Sequence, residues 1–339
     1  MSKNIVVCYD GTNNEYGRHN TNVVKTFEVI VRDDTQIAFY DPGVGTFSFL
    51  GRTLGKKAGI FLGLLFGYGI RQNIEDGYEY LMNRFELGDK VFIFGFSRGA
   101  YTARALAGMI HQFGILQKGS KNLIPYVSKM YFKKDKKKKF SIIKNFKETF
   151  SHVCQPHLIG LWDTVGALGP NLSKKFPNLK LNPDIKYGFQ AIAIDEKRRP
   201  YRVILWDERN KTDNQVIEQV WFAGVHSEVG GGCSKDECSL SDIAFAWMMD
   251  KASECGLKLK DDWQDGLNQD AGVDMHNSCT LPWIIFGLQK KREISDRARV
   301  HQSVIDRMNK RDDYNPALPK DKSTVFTDSY RNNAIVRII

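Results

Sequence analysis

The segment Val91-Phe92-Ile93-Phe94-Gly95-Phe96-Ser97-Arg98-Gly99-Ala100-Tyr101 constrains this chain more than any other. An apolar run of β-branched and aromatic residues stops at Gly-x-Ser-x-Gly, and a helix-forming run, Ala100 to Gln112, follows at once. A buried strand that turns sharply into a helix through two glycines forms a nucleophile elbow. The turn holds the serine in a tight conformation with its hydroxyl exposed, and glycine is needed wherever a Cβ would collide with neighbouring backbone. The N–H of Arg98 then lies at a helix N-terminus, where it can donate to an oxyanion. Asp89 and Lys90 mark the start of the strand, and Gly99, Ala100, Ala103 and Ala107 give the helix a small-residue face that can approach a sheet closely.

The rest of the chain repeats this alternation. Strands are expected at Ile5 to Tyr9, at Gln36 to Tyr40 before the turn Asp41-Pro42-Gly43, at His157 to Trp162, at Tyr201 to Trp206 and at Gln219 to Val225. A helix is expected from about Arg71 to Phe85, with Ile74, Tyr78, Leu81 and Phe85 on one face. Another begins near Ser241, with Ser239 and Asp242 resembling a capping box and Gly256 as its stop. Alternating strands and helices predict an α/β fold, α/β-hydrolase-like, with a mostly parallel central sheet and helices on both faces. In a chain of 339 residues this reads as one domain over 1–310, carrying a Lys-rich insertion at about 130–150, and a C-terminal extension over 311–339.

Two stretches stand apart from the alternation. Residues 58–70 are apolar and glycine-rich, and read as a buried helix or loop beside the site, or as an acyl-chain pocket wall or lid. They are shorter than the roughly 20 residues that span a bilayer. The start of the chain runs straight into a strand and does not resemble a secretory signal, so a cytoplasmic location is expected, peripheral to the membrane or followed by signal-independent export. The second stretch, Lys133-Lys134-Asp135-Lys136-Lys137-Lys138-Lys139 with Lys144 and Lys147 after it, holds much of the net charge of +10. It reads as a solvated insertion loop, or as a contact for an anionic membrane surface at roughly 1 kcal/mol per basic residue. Few aromatic residues accompany it, so no nucleic-acid partner is expected. The six cysteines, at 8, 154, 233, 238, 255 and 279, show no zinc spacing and are read as free thiols, Cys233 and Cys238 included.

A serine nucleophile needs a base, and the base needs an orienting carboxylate. In this fold class they follow the serine in the order Asp or Glu, then His. Of seven histidines, His226 leaves a late strand into the glycine-rich Ser227-Glu228-Val229-Gly230-Gly231-Gly232, the place for a base, with His301 as the alternative. Asp163 ends the strand Leu158 to Trp162 at its carboxyl edge and is the preferred acid; Asp195 and, more weakly, Asp207 are alternatives. Asp195 with Glu196 can instead end a helix and pair with Arg198 or Arg199. The turn after the first strand, Cys8-Tyr9-Asp10-Gly11-Thr12, offers Gly11 and Thr12 as a second oxyanion donor beside Arg98, with Asp10 as support. No set of metal ligands is visible, so neither a metal nor a cofactor is expected.

Five motifs occur in order: Asp10-Gly11-Thr12-x-Asn14, Asp41-Pro42-Gly43-Val44-Gly45-Thr46, Gly95-Phe96-Ser97-Arg98-Gly99-Ala100-Tyr101-Thr102-Ala103-Arg104, Trp162-Asp163-Thr164-Val165-Gly166 and Trp221-Phe222-x-Gly224-Val225-His226-Ser227. Together they resemble an uncharacterised α/β-hydrolase domain family that includes the type VI secretion phospholipase effectors. The resemblance spans about residues 3 to 310 and implies Ser97 as nucleophile, Asp163 as acid and His226 as base. It also implies hydrolysis of acyl esters of membrane glycerophospholipids, by a toxin or defence effector, and the restraint such an activity needs implies an inhibitor or activator protein. The pattern departs at Glu228, where the family often has Asp. Two other readings remain: an esterase for a soluble substrate, or a catalytically silent membrane- or partner-binding module.

Overall fold

The computed structural model describes residues 2–11, 16–43, 58–133, 140–166, 181–233, 238–276, 278 and 290–319, with only the backbone described at 58–68, 140, 200 and 210. The strands are β1 (Asn4–Tyr9), β2 (Gln36–Asp41), β3 (Lys90–Phe96), β4 (Ile115–Leu116), β5 (Ser151–His152), β6 (Leu158–Trp162), β7 (Tyr187–Ala193), β8 (Val216–Phe222) and β9 (Arg299–Val300). Seven of them form one sheet in the order β2-β1-β3-β6-β7-β8-β9, while β4 and β5 make a small antiparallel pair. Every pairing in the large sheet is parallel. A parallel sheet is covered on both faces, so its strands carry apolar residues on both. The period of two divides them: Val6, Cys8, Phe92, Phe94 and Phe96 enter one core, and Ile5, Val7, Tyr9, Val91 and Ile93 enter the other.

The helices are α1 (Asn22–Val29), α2 (Ala58–Arg84), α3 (Arg98–Phe113), α4 (Ile124–Phe132), α5 (Phe140–Phe150), α6 (His226–Gly230), α7 (Ser239–Glu254) and α8 (Gln302–Lys310). Helices α1, α7 and α8 cover the first core, and α2 to α5 cover the second. Among the described residues no helix is long and apolar enough to cross a membrane. The chain runs from β1 outward to β2, then crosses back to β3 and continues outward on the other side. The carboxyl ends of β1 and β3 therefore flank the switch point where α/β sheets place their sites.

Several sequence expectations change. Tyr201 to Trp206 is not a strand; it begins in a 3-10 turn at Arg199–Tyr201 and continues as an irregular strap packed against β7, β8 and α3. Its backbone is satisfied by side chains as well as by neighbouring backbone. Arg104 donates to the Ile204 carbonyl at 2.7 Å, Trp206 N–H donates to Gln219 at 2.7 Å, and the Gln219 amide returns a bond to the Trp206 carbonyl at 3.1 Å. The missing strand is β7, whose Gly188, Gln190 and alanines carry little β-propensity. Pairing with β6 on one side and β8 on the other makes it a strand, so Asp195 and Glu196 follow a strand rather than a helix.

The apolar stretch at 58–70 is not separate from the helix expected at 71–85; both belong to α2. The second half of the Lys-rich insertion is α5, not a loop, anchored by Phe146 against Phe113 and Tyr126. Lys144 and Lys147 lie on that helix, whereas Lys134 to Lys139 fall outside the described residues. Helix α7 is preceded by Cys238 as its N-cap, and Asp242 accepts from Lys25 and from the Asn268 N–H, so the Ser239–Asp242 capping box does not form. Cys233 and Cys238 form a disulfide rather than two free thiols, because the five-residue step into α7 brings their Cα atoms to 5.5 Å. Cys8, Cys154 and Cys255 are free, and Cys279 lies outside the described residues. Past residue 310, Tyr314 packs back onto the body and donates its hydroxyl to Asp195 at 2.8 Å.

Candidate active site

The elbow follows from what its glycines permit. A Cβ on Gly95 would stand 2.6 Å from the Gly99 carbonyl oxygen and 2.7 Å from Ala100 Cα, and one on Gly99 would collide with the carbonyl oxygens of Tyr9 and Asp10. With both positions bare, α3 starts directly against the ends of β1 and β3. Ser97 then adopts φ 58° and ψ −117°, a conformation that side chains rarely take and that costs of order 1–3 kcal/mol. The turn is held by the Ser97 N–H donating to the Trp162 carbonyl at 3.0 Å, at the end of β6.

Asp163 follows that carbonyl with φ 41°, its N–H donating to Ala191 at 2.8 Å. The twist turns its carboxylate inward, where Oδ1 accepts the Ala193 N–H at 3.0 Å. His226 opens α6, two residues after Gly224, whose φ of 117° favours glycine. Glu228 accepts the Val225 N–H at 2.9 Å and the His276 N–H at 2.6 Å, fixing the entry to the helix. A Cβ on Gly230 would collide with the Phe96 ring, which lies 4.7 Å from the His226 ring; Tyr201 stands edge-on at 4.9 Å. Between those rings the imidazole has one course. Its Nδ1 meets Asp163 Oδ2 at 2.5 Å, and its Nε2 meets Ser97 Oγ at 2.8 Å.

The structure thus brings Ser97, His226 and Asp163 into one hydrogen-bonded line from three separate strand ends. His301 is elsewhere, buried as the N-cap of α8, where it accepts the Ser303 N–H. Asp195 does not reach the imidazole. It accepts from the Gly224 N–H and the Tyr314 hydroxyl, both at 2.8 Å, and so supports the loop that carries His226. Asp207 caps the short 3-10 turn at Glu208–Asn210 and pairs with Arg209. Glu196 pairs with Arg198 at 2.8 Å, one of the pairings expected from the sequence.

At the turn after β1, Asp10 accepts from Thr21 and from Tyr40, in each case at 2.9 Å, tying β1 to α1 and β2. It also takes the Gly11 N–H at 2.6 Å. Gly11 was expected to face an oxyanion, but its N–H donates to the carboxylate of the residue before it, so that donor is already taken. Thr12 lies outside the described residues. Arg98 supplies the N–H at the start of α3.

One residue escaped sequence reasoning. Arg292, 5 % exposed at its side chain, grips Asp163 from behind: Nη1 donates to Oδ1 at 2.5 Å and Nη2 to Oδ2 at 2.9 Å. The same guanidinium donates to the carbonyls of Ala193 at 2.7 Å and Tyr201 at 2.6 Å. Burial pushes the Asp163 carboxyl up, but the Arg292 charge and the His226 hydrogen bond outweigh it and hold the group well below the usual carboxylate range. The pair is linked across 129 residues by nothing periodic, and Arg292 reads locally as the end of a charged Lys290-Lys291-Arg292 run. Among the described residues no group of His, Cys, Asp or Glu side chains is arranged to hold a metal ion.

A family model described as the catalytic domain of Tle1-like phospholipase effectors of the type VI secretion system matches residues 3–251. The uncharacterized protein YEL023C of Saccharomyces cerevisiae is 30% identical over 218 residues, covering 59% of this chain and 32% of that protein. The chain thus spans about a third of the length of this curated relative. Among solved structures, an uncharacterized protein from Pseudomonas aeruginosa is similar at 17% identity with a TM-score of 0.45, over 78% of this chain and 47% of its own. The Tle1 effector bound to the VgrG spike of the type VI secretion system is similar at 18% identity with a TM-score of 0.42, over 68% of this chain and 51% of its own. With a seven-stranded parallel sheet, helices on both faces and a model match over residues 3–251, the chain belongs to the family of Tle1-like phospholipase effector catalytic domains.

Proposed function

We propose that this domain is a serine carboxylic-ester hydrolase that cleaves acyl esters of membrane glycerophospholipids, as an effector acting on lipid. The observation that carries the reading is the unbroken line from Ser97 Oγ through His226 to Asp163, with the serine held in an elbow. Family membership supports phospholipid as the substrate class.

In this reading the Ser97 oxygen attacks the ester carbonyl carbon while His226 Nε2 takes its proton. Asp163 accepts from Nδ1–H, which fixes the tautomer that leaves Nε2 free to act as base, and it stabilises the imidazolium that forms. The carbonyl electrons move onto oxygen, and the Arg98 N–H at the start of α3 donates to that oxyanion; one such donor is worth roughly 2.7–4 kcal/mol. The tetrahedral intermediate collapses, the carbon–oxygen bond to the leaving lysolipid breaks, and the imidazolium returns its proton to that alkoxide. Water then repeats the sequence on the acyl-serine and releases the fatty acid. The Phe96 and Tyr201 rings keep the imidazole plane aligned between its two partners.

The test is release of fatty acid and lysolipid from phospholipid vesicles by the wild type and by Ser97→Ala. The reading requires turnover in the first and its loss in the second; equal release by both refutes it.

A further inference from the structure

A cavity of about 270 Å³ opens beside the catalytic line. One wall is the strap after β7, with Glu196, Arg198, Arg199, Tyr201 and Arg202, and the other is the segment Lys290 to Glu293. The two walls are joined by the Lys290 N–H donating to the Lys197 carbonyl at 2.8 Å and by Arg292 donating to the Tyr201 carbonyl at 2.6 Å. Tyr201 and Arg292 are shared with the site: one touches the His226 ring and the other holds Asp163.

The charges lining this cavity do not balance. Among the described residues six cationic side chains, Arg198, Arg199, Arg202, Lys290, Lys291 and Arg292, face two carboxylates, Glu196 and Glu293. Glu196 is neutralised by Arg198 at 2.8 Å, Glu293 by Lys290 at 2.9 Å, and Arg292 is occupied with Asp163. Arg199, Arg202 and Lys291 remain in excess over the carboxylates, and all three are exposed. A concave surface with one sign of charge focuses its field and raises the local concentration of the opposite ion. Arginine is suited to phosphate because its planar fork donates two parallel hydrogen bonds. Among the described residues the apolar lining is Val203, Leu205 and the Tyr201 ring, and the charged remainder suits a polar head better than an acyl chain. Lys290 to Glu293 lie beyond residues 3–251, which match the family model.

We infer that this cavity binds the phosphate of the glycerophospholipid substrate, with Arg199, Arg202 and Lys291 as its anion contacts, and so presents the neighbouring acyl ester to Ser97. The inference rests on the phospholipid reading given above. It makes the phosphate a recognition element, and it places the headgroup on the Tyr201 side of the imidazole.

The test uses the Ser97→Ala chain, so that binding is read without turnover. Calorimetric titration with monomeric dihexanoyl-phosphatidylglycerol, below its micelle concentration, is compared with titration by inorganic phosphate. The expected result is lipid binding that weakens as salt is raised and that falls about tenfold or more when Arg199→Gln, Arg202→Gln and Lys291→Gln are added, with phosphate competing for the same site more weakly than the lipid. Lipid affinity indifferent to those three substitutions overturns the inference, and phosphate binding as tightly as the lipid overturns the headgroup assignment. Should the triple variant fail to fold, the salt dependence and Arg202→Gln alone decide in the same way. Wild-type vesicle hydrolysis is measured separately: binding without turnover refutes the hydrolase reading, and turnover without charge-dependent binding refutes only the cavity's role.

Discussion

Removing the Arg292 guanidinium should destabilise the protein by an amount that depends on pH. In Arg292→Met, Asp163 stays buried with one hydrogen bond from Ala193 and one from His226, but loses its charge partner, and the carbonyls of Ala193 and Tyr201 lose theirs. Breaking a buried ion pair by deleting one partner costs about 3–5 kcal/mol. The adjoining cavity admits water to the vacated position, so the lower end applies, about 3 kcal/mol. At roughly 2 °C per kcal/mol for a large domain, that is a fall of about 6 °C in Tm at pH 7. The sign of the pH dependence follows from Asp163. In the wild type its pKa is depressed, so its contribution is present at neutral pH and is lost only as pH falls through and below the ordinary carboxylate range. In the variant burial is no longer offset, the pKa rises, and protonation relieves the unpaired charge at a higher pH. The stability gap between the two proteins must therefore narrow as pH drops from 7 toward about 4. Urea unfolding at several pH values measures it, and a cycle with Asp163→Asn should return a coupling of about 2 kcal/mol or more. A Tm within about 1 °C of wild type at pH 7, or a gap that does not change with pH, would falsify the clamp.

Three further outcomes are expected. Asp163→Asn keeps the shape of the site but favours the wrong imidazole tautomer, and should lower kcat about 10⁴-fold in ester hydrolysis; a loss below about tenfold would remove Asp163 from the catalytic line. Burial beside Asp76 pushes the Asp41 carboxyl up to about 7, so stability should decline as pH rises from about 4 to 7, and Asp41→Asn should flatten that decline in thermal melts taken across the range. Alkylation of the unfolded, unreduced chain followed by mass measurement should label Cys8, Cys154 and Cys255 and leave Cys233 and Cys238 unlabelled until reductant is added.

The site was legible where its residues obey local rules. Gly95 and Gly99 flank a serine between an apolar strand and a small-residue helix, and only a tight elbow accommodates that order of residues. Asp163 and His226 each end an apolar strand, and strand ends at one sheet edge converge. The strap at 201–206 misled because its alternating, partly β-branched residues look like a strand, while Arg104, Gln190 and Gln219 supply the hydrogen bonds a strand neighbour would otherwise give. Strand β7 was missed for the opposite reason: its glycine and alanines matter for fit between two neighbours, and single-residue propensity does not record that.

The sequence by itself determined the parallel α/β class, the elbow, and the order in which serine, carboxylate and histidine arrive at strand ends, because each is written in short-range periodicity and turn chemistry. Only the tertiary structure decided that Asp163 rather than Asp195 meets the imidazole, and that Arg292 closes on the Asp163 carboxylate. Those choices depend on which charged group lies within hydrogen-bond reach inside a low-dielectric interior. The partners of Asp163 lie 63 and 129 residues away in sequence, and no local pattern encodes that proximity.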